Sequence, residues 1–395
     1  KMKKFLRNKV IQTNNTNSFL NIFAKFKREE TKAKIIAVTG SAGKTTVKTL
    51  LGEMLKNYGK TFYSPKSYNN HYGVPLSLSN LENSHKFGVF EIGMSKAGEI
   101  LKLSKLVKPE IGIITNVGEA HIENFKNIKG VAKAKGEIIQ NITSEGTVIL
   151  NRDCKFFSYF KKLADRRKIQ TLSFGRSKKS DVSLSRVIKR KNKNILKILI
   201  CKKIISVNVR NLDNVNIENI LCSLAVLKKL DLSLKKIKTF FRNLESVEGR
   251  GKMHNIRRYK TNFRLIDESY NANPLSVKKA IINFSKIKKN NFKKYILLGD
   301  MLELGDKSDF YHKNLSKVIN NTDIDKIFVY GDKIFTTYKH TNKKKRGNIL
   351  QNREDFDEVF SNLIKKNDHL MIKGSNATGL NKLSKNIIKE HRNVV

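Results

Sequence analysis

The stretch that most constrains the fold of this chain is KIIAVTGSAGKTTVKTLLGEMLKNYGK, residues 34–60. An apolar strand pattern ends at Gly40, Gly43 permits a tight turn, and Lys44 opens a helical pattern. Backbone N–H groups at such a helix start can surround phosphate oxygens, a lysine ammonium can reach the terminal phosphates, and a hydroxyl can hold Mg²⁺. The stretch therefore predicts a site for ATP or GTP at the end of a strand.

The loop follows a variant of the common phosphate-binding pattern. Val38 occupies the first glycine position of G-x-x-x-x-G-K-[ST], so the chain carries T-G-x-x-G-K-[ST] instead. The alternative is a glycine turn between strand and helix that binds nothing, but Lys-Thr-Thr follows the second glycine in register. The residues that we expect around the phosphates are Gly40, Ser41, Ala42, Gly43, Lys44, Thr45 and Thr46.

Length and composition exclude several classes of protein. A chain of 395 residues should divide into two or three domains. The 80 Lys and Arg against 34 Asp and Glu give a formal charge of +46, but the basic residues are spread along the chain and accompany no nucleic-acid-binding motif. We therefore expect no nucleic-acid partner. No apolar run approaches the ~20 residues of a transmembrane helix.

The cysteines favour a reducing compartment, which we expect to be the cytoplasm. They lie far apart without C-x-x-C spacing, so they indicate neither a disulfide framework nor a zinc site. Their positions are Cys154, Cys201 and Cys222.

From residue 34 onward, short strand patterns alternate with helical patterns, which is typical of a parallel sheet covered by helices. Over 183–209 the pattern changes to alternating runs separated by polar turns such as KNKN, which predicts an antiparallel meander. Helices are expected at 216–230, with Cys222 packed inside, and at LKKIKTFFRNL, residues 234–244. A second α/β series begins near residue 246.

Further segments of the chain occur in an order that is similar to that found in a known family. The T-G-x-x-G-K-[ST] form is similar to that of the Mur ligases of peptidoglycan synthesis and their folylpolyglutamate synthase relatives. The segments SYNNxxGVPL and SYNANP resemble the Mur ligase branch that attaches the terminal dipeptide, and the resemblance covers roughly residues 17–390. The segments are SYNNHYGVPLSL (67–78), FEIGMSKAGEI (90–100), TNVGEAHIENF (115–125), GVAKAKGEI (130–138), DESYNANP (267–274), LGDMLELG (298–305) and IKGS (372–375).

The resemblance implies an α/β fold with two main domains. Residues 34–245 would form a Mur ligase-type central P-loop ATPase domain, with a mostly parallel sheet plus the small antiparallel meander. Residues 246–395 would form a Rossmann-like C-terminal α/β ligase domain. Residues 1–33 resemble the segment that leaves an N-terminal UDP-binding domain, and we expect them to be a remnant of it.

The resemblance also implies an activity. A Mur ligase of this branch joins D-Ala-D-Ala to UDP-N-acetylmuramoyl-tripeptide with ATP and Mg²⁺, through an acyl phosphate, and so serves cell-wall synthesis, cell shape and division. Two alternatives remain open at this point. One is another amide ligase of the superfamily, similar to folylpolyglutamate synthase, and the other is a non-catalytic homologue that holds a polyanion on its basic surface.

Candidate metal ligands follow from the same resemblance. Glu91 ends a strand pattern beside a glycine, where the family places a Mg²⁺-binding glutamate, and Thr45 offers the P-loop hydroxyl. A lone histidine is more often structural, but His121 matches a family histidine that helps to hold a second Mg²⁺. In AKAKGEI the family carries a lysine converted by CO₂ into a metal-binding carbamate. We expect Lys135 to be that lysine, with Lys133 as the competing candidate.

In the second α/β series the resemblance assigns residues to the nucleotide. Arg250 matches the family's arginine at the ATP phosphates. The resulting catalytic candidates are Lys44, Glu91, His121, Lys135 and Arg250. The loop that follows Asp267 and carries Asn271 and Asn273 would contact the adenine and ribose when the domains close. Turn formation and helix capping are the ordinary alternatives for these asparagines.

The acceptor end is expected near IKGS. Lys373 and Ser375 would lie beside the incoming dipeptide. The family pattern usually continues KGSR, whereas this chain has Asn376, so a neighbouring lysine would have to replace that arginine or the affinity for the dipeptide would fall. His312 also matches a family position, and we assign it no chemistry.

Overall fold

The computed structural model of the chain describes residues 13–190, 193–210, 216–237, 240–244 and 246–392. Two sheets of unequal size organise these residues, and helices cover both. We call the part built on the first sheet the first lobe and the part built on the second sheet the second lobe. Two residues of the predicted KNKN turn, 191 and 192, lie outside the described residues.

The first sheet has nine strands in the order β2-β3-β1-β4-β5-β6-β7-β8-β9. Pairing is parallel from β2 to β7, and β7, β8 and β9 form an antiparallel meander. The predicted mostly parallel sheet with an appended meander is therefore confirmed. The strands are β1 (Lys34–Thr39), β2 (Thr61–Tyr63), β3 (Phe87–Glu91), β4 (Ile111–Ile114), β5 (Thr147–Asn151), β6 (Gln170–Gly175), β7 (Val182–Arg190), β8 (Lys193–Ile200) and β9 (Lys203–Val209).

The central strand β1 is buried on both faces, as its continuous apolar sequence requires. Ile36 and Val38 pack into one apolar cluster, and Ile35 and Ala37 pack into another on the opposite face. The first-lobe helices that supply these clusters or extend them are α1 (Thr16–Glu30), α2 (Lys44–Leu55), α3 (Gly73–Ser79), α4 (Glu99–Val107), α5 (Ile128–Gly136), α6 (Phe157–Arg166) and α7 (Ile217–Lys229).

Helix α7 confirms one expected helix, whereas the next one is wrong. Cys222 is fully buried within α7, and this burial raises the pKa of its thiol. The stretch expected to form a second helix instead shows two short 3₁₀ turns, Leu234–Ile237 and Phe240–Asn243, while 238 and 239 are outside the described residues. Adjacent aromatic and β-branched residues have modest helix propensity, so the tertiary packing of this segment decides its form.

The second sheet has six strands in the order β10-β11-β15-β12-β13-β14. Every pair is parallel except the edge pair β10 and β11, which agrees with the expected Rossmann-like arrangement. Its strands are β10 (Lys252–Arg258), β11 (Thr261–Asp267), β12 (Lys294–Gly299), β13 (Lys326–Tyr330), β14 (Arg346–Leu350) and β15 (His369–Lys373). Its helices are α8 (Pro274–Ser285), α9 (Ser308–Asn320), α10 (Phe335–His340), α11 (Arg353–Leu363) and α12 (Leu380–Arg392).

The two lobes meet at the carboxyl ends of their parallel strands. Leu275, at the start of α8, lies against Gly118, where an added Cβ would come within 2.6 Å of the leucine side chain. The Glu123 N–H donates to the Glu303 carbonyl over 3.2 Å. Loops that follow strands of both sheets therefore face one another, which is where α/β folds bind their ligands. In the described ranges, no helix combines the length and apolar character needed to cross a bilayer.

Candidate active site

The loop Gly40–Gly43 lies at the carboxyl end of β1, between the ends of its parallel neighbours β3 and β4. Its backbone requires glycine: Gly40 has φ 147°, Gly43 has φ 83°, and a Cβ on Gly40 would lie 1.9 Å from Thr115 Oγ1. The Ala42 N–H donates to Asn116 Oδ1 over 2.9 Å, and Ser41 Oγ donates to the Gly118 carbonyl over 2.9 Å. The loop is thus fixed against the segment that follows β4.

Lys44, the first residue of α2, folds back over this loop. Its Nζ donates to the Gly40 carbonyl over 2.8 Å, which holds the ammonium above the backbone amides at the helix N-terminus. Burial lowers the pKa of Lys44, and the nearby Glu91 carboxylate opposes that shift. The positive end of α2 and this lysine together form the kind of site that favours a phosphate.

Glu91, the last residue of β3, lies beside the loop with 1% of its surface exposed. Thr45 Oγ1 donates to Glu91 Oε2 over 2.7 Å, and Asn69 Nδ2 donates to Glu91 Oε1 over 2.7 Å. Among the described residues, no lysine, arginine or histidine forms an ion pair with Glu91. A buried carboxylate whose hydrogen-bond donors, Thr45 and Asn69, are both neutral fits a site for a cation.

Lys135 extends from α5 toward the same region. It is 2% exposed, and burial together with the charge of Lys44 holds the pKa of its amine well below the usual lysine range. Lys133, two residues earlier on α5, is exposed to solvent. The structure therefore places Lys135, and not Lys133, beside the phosphate loop.

His121 follows β4 in the left-handed region, with φ 56°. Its Nδ1 lies 2.7 Å from Glu303 Oε2, a carboxylate from the loop that follows β12. The contact with His121 lowers the pKa of the Glu303 carboxyl. This pair joins the two lobes at the edge of the site.

Arg250 approaches from the second lobe. One of its terminal nitrogens donates to Ser67 Oγ over 3.3 Å, and its guanidinium lies 4.2 Å from the centre of the Tyr270 ring. Ser67 Oγ lies 3.0 Å from Thr45 Oγ1, so the arginine connects with the same group of polar side chains. The Tyr270 ring restrains the guanidinium, which lies in the space between the lobes.

Asn273 caps α8 and also contacts the phosphate loop. Its Oδ1 accepts from the Ser276 N–H over 2.9 Å in a reciprocal capping box, while its Nδ2 donates to the Ser41 carbonyl over 3.2 Å. One side chain therefore both caps α8 and contacts the phosphate loop of the first lobe, and its contact with a nucleotide stays a prediction. Asn271 Oδ1 accepts from the Ala272 N–H over 2.9 Å.

These side chains enclose one large cavity between the lobes, with a volume of about 960 Å³. A volume of this size lies at the upper end of ordinary ligand pockets. Thr45 does not line the cavity, and its hydroxyl is hydrogen-bonded to Glu91. The predicted site residues that line the cavity are Gly40, Ser41, Ala42, Gly43, Lys44, Thr46, Glu91, His121, Lys135, Arg250, Asn271 and Asn273.

Comparison with known proteins assigns the chain to a family. The Mur ligase middle domain matches residues 38–227, and the Mur ligase glutamate ligase domain matches residues 251–376. A UDP-N-acetylmuramoyl-tripeptide–D-alanyl-D-alanine ligase from Buchnera aphidicola (subsp. Acyrthosiphon pisum) is 36% identical over 386 residues, which cover 96% of this chain and 82% of that protein. The chain belongs to the Mur ligase family.

Solved structures of Mur ligases share the fold. MurF from Acinetobacter baumannii superposes with a TM-score of 0.84 at 25% identity, over 96% of this chain and 82% of the other. The MurF ligase from Thermotoga maritima, solved in complex with ADP, has a TM-score of 0.84 at 24% identity, over 98% of this chain and 87% of the other. The expected α/β architecture is therefore that of structurally characterised Mur ligases.

Near the carboxyl end of β15, this Mur ligase differs from the expected arrangement in one respect. Lys373 lines the cavity and donates to Glu268 Oε2 over 3.2 Å, whereas Ser375 does not line it. Instead, Ser375 Oγ accepts from the Leu302 N–H over 2.9 Å and so connects two loops. Asn376 lines the cavity and donates to the Tyr270 carbonyl over 3.1 Å.

Two other predicted positions have structural surroundings. Asp267 accepts from the Gly249 N–H over 3.0 Å and from the Ser269 hydroxyl over 2.6 Å, so it orders the turn that carries Arg250. His312 is fully buried, and its Nε2 accepts from the Met301 N–H over 3.1 Å. Burial lowers the pKa of His312, which keeps the ring neutral for this bond.

Several residues of this Mur ligase site received no role from the sequence. Ser67 and Asn69 belong to the SYNN segment. The polar residues that follow a short strand pattern there could have indicated a role in the site. Tyr270 and Glu303 likewise follow strands of the second sheet, and the carboxyl ends of parallel strands are where α/β folds gather their ligands.

Proposed function

We propose that this chain is an ATP-dependent ligase that joins D-Ala-D-Ala to UDP-N-acetylmuramoyl-tripeptide in the synthesis of peptidoglycan precursors. The observation that carries the proposal is the cavity between the lobes, where the phosphate loop, Glu91 and Lys135 face Arg250 and Asn273 from the other sheet. The Buchnera ligase, which shares 36% identity over 96% of this chain, is named for these two substrates, and this similarity supports their choice.

The proposed reaction proceeds in two steps. The terminal carboxylate of the tripeptide attacks the γ-phosphorus of ATP, an acyl phosphate forms, and the bond to ADP breaks. The free amine of D-Ala-D-Ala then attacks the acyl carbon, the bond to phosphate breaks, and the amine loses a proton. The products are the amide, ADP and inorganic phosphate, so no other reactant is required.

The first step brings two anions together, and the residues of the cavity reduce that repulsion. The amides of Gly40–Gly43 and the Lys44 ammonium would hold the β- and γ-phosphates, because they form a fixed positive site at the start of α2. Arg250, restrained by Tyr270, would contact the transferring phosphoryl group from the opposite side. Such fixed positive groups stabilise the transition state without reorganisation.

The donor set also fits Mg²⁺. Thr45 and Glu91 would hold one ion beside the phosphate loop, since hydroxyl and carboxylate oxygens suit this hard cation. His121 would help to hold a second ion, as the resemblance to the family implies. Bound Mg²⁺ would neutralise the phosphate charge and orient the γ-phosphoryl group. Asn69 fixes the orientation of the Glu91 carboxylate for that purpose.

Lys135 is proposed to carry a carbamate. Carbamate formation requires a neutral amine that attacks CO₂, and a buried lysine with a lowered pKa supplies that form. The modification converts this neutral amine into an anion, which the positive charge of Lys44 would stabilise and which adds a ligand for Mg²⁺. Lys133, in contrast, lies on the exposed side of α5.

The division into a central domain over 34–245 and a ligase domain over 246–395 is part of the proposal. Its support is that β1 to β9 and β10 to β15 form two separate sheets. Closure of the second lobe over ATP would exclude water from the acyl phosphate. A cytoplasmic location is proposed because ATP is a substrate.

Turnover with defined substrates tests the proposal. We expect ADP release to require UDP-N-acetylmuramoyl-tripeptide, D-Ala-D-Ala and Mg²⁺ together. Replacement of the tripeptide by a folate polyglutamate acceptor and glutamate should give no ADP above background. ADP release with those folate substrates would favour the other superfamily ligase, and no release with any acceptor would favour the non-catalytic polyanion-binding alternative.

A further inference from the structure

Lys48 is a buried lysine that the proposed chemistry does not use. It lies one helical turn after Lys44 on α2, is 1% exposed, and does not line the cavity. Its Nζ donates to the Ser64 carbonyl over 2.6 Å and to the Lys66 carbonyl over 2.5 Å. Hydrogen bonds from a charged donor are stronger than neutral ones, and burial makes their loss costly.

Both acceptor carbonyls belong to residues 64–70, which follow β2 and which we call the 64–70 loop. Lys66 has φ 47°, in the left-handed region that residues with a side chain seldom occupy. A strained backbone of this kind persists only where its surroundings fix it. The bond from Lys48 to the Lys66 carbonyl fixes the loop at this bend.

The 64–70 loop supplies two of the polar side chains that order the candidate active site. Ser67 Oγ lies 3.0 Å from Thr45 Oγ1 and accepts from Arg250 over 3.3 Å. Asn69 donates to the Glu91 carboxylate over 2.7 Å. A displacement of the loop would therefore move the groups that orient both Thr45 and Glu91.

We propose that Lys48 is a positioning residue that holds the 64–70 loop in place and thereby sets the orientation of Thr45 and Glu91 toward ATP and Mg²⁺. The ligand part of this inference rests on the proposed function, whereas the structural part concerns the loop alone. Lys48 acts through the loop because its ammonium is bound to backbone carbonyls and does not face the cavity.

The test compares Lys48→Met with Lys294→Met as a matched control. Lys294 is also fully buried, and its Nζ donates to the Ser285 carbonyl over 2.7 Å and to Asp323 over 2.8 Å, in the second lobe. Both substitutions remove a buried ammonium and its hydrogen bonds. Only the first one is expected to affect the 64–70 loop.

Two measurements are made on the full chain. In Lys48→Met, hydrogen exchange should become about tenfold faster in peptides that span 64–70, because loss of the anchoring bonds lets the loop open locally more often. The Mg²⁺ concentration for half-maximal ADP formation should rise about fivefold or more. Lys294→Met should leave both quantities within about twofold of the parent protein.

Loop exchange and Mg²⁺ dependence that match the control, at a similar loss of thermal stability, would overturn the proposal. If Lys48→Met does not fold, Lys48→Gln replaces it, because its side chain keeps one amide donor. We then expect a smaller change in the same two quantities. No change in either quantity would again overturn the proposal. Hydrogen exchange needs no turnover, so the loop is tested even if the parent protein proves to lack ligase activity.

Discussion

Thr45 donates a 2.7 Å hydrogen bond to Glu91, which joins the first turn of the helix after the phosphate loop to the end of the neighbouring strand. The bond links two residues that are 46 positions apart in the chain, and it orients a carboxylate that is 1% exposed. Parallel pairing of β1 with β3 places the two strand ends side by side, which makes this contact possible.

The charge of Glu91 is the property that the proposed chemistry needs. Glu91→Gln keeps the shape of the side chain, and the amide can still form hydrogen bonds with Thr45 and Asn69. We therefore expect the melting temperature to change little. ADP formation should fall by about a hundredfold or more, because a group that neutralises phosphate charge is lost. Turnover and thermal unfolding are measured on the same samples, and near-normal turnover of a folded Glu91→Gln protein would contradict the assignment.

Lys135 and Lys133 provide a matched pair on one helix. Lys135→Ala should abolish most turnover, and short carboxylates such as formate or acetate should restore part of it by occupying the place of the carbamate. Lys133→Ala should leave turnover within about twofold, because this side chain lies in solvent. Mass spectrometry of protein kept under CO₂ provides a second measurement, which detects the carbamate on Lys135. Loss of activity in Lys133→Ala with normal activity in Lys135→Ala would reverse the assignment.

Arg250 is expected to depend on the ring of Tyr270, 4.2 Å from its guanidinium. Tyr270→Phe keeps the ring and should retain most activity, whereas Tyr270→Ala should lower kcat by about tenfold because the guanidinium loses its restraint. Arg250→Lys should lower kcat further, since an ammonium lacks the planar fork that contacts phosphate oxygens. Equal kcat values for the Phe and Ala variants would show that the stacking has no role.

The two hydrogen bonds of Asn273 can be separated. Asn273→Ala removes the cap of α8 and should lower the free energy of unfolding by about 1 kcal/mol. Asn273→Asp keeps a good cap but replaces the donor to the Ser41 carbonyl with a carboxylate. We expect Asn273→Asp to have nearly normal stability and a KM for ATP raised by about tenfold. A normal KM in that variant would show that the contact between the lobes does not matter for ATP.

The sequence predicts the local parts of the site well, because its glycine turn and helix start depend on neighbours in the chain. Gly40 and Gly43 adopt positive φ, and Lys44 begins α2, as the pattern T-G-x-x-G-K-[ST] indicates. The parallel sheet and its meander also follow from local periodicity and turn residues. The 3₁₀ turns in 234–243 were missed, since tertiary packing there overrides a marginal helical preference.

The parts that the sequence could not supply are long-range contacts. The bond between Arg250 and Ser67 spans 183 positions, and that between Asn273 and Ser41 spans 232. Neither pairing has a local signal, because each depends on how the two sheets face one another. The resemblance already favoured Lys135 over Lys133, and the structure adds that Lys135 is buried whereas Lys133 is exposed.

Transfer of oxygen from the tripeptide carboxylate to inorganic phosphate is the most direct test of the proposed reaction. The tripeptide is prepared with oxygen-18 in its terminal carboxylate and is incubated with the protein, ATP, Mg²⁺ and D-Ala-D-Ala. An acyl phosphate formed in the cavity predicts that one labelled oxygen leaves in each inorganic phosphate, with amide and phosphate formed in equal amounts. Unlabelled phosphate, or phosphate released without amide formation, would contradict the proposed ligase.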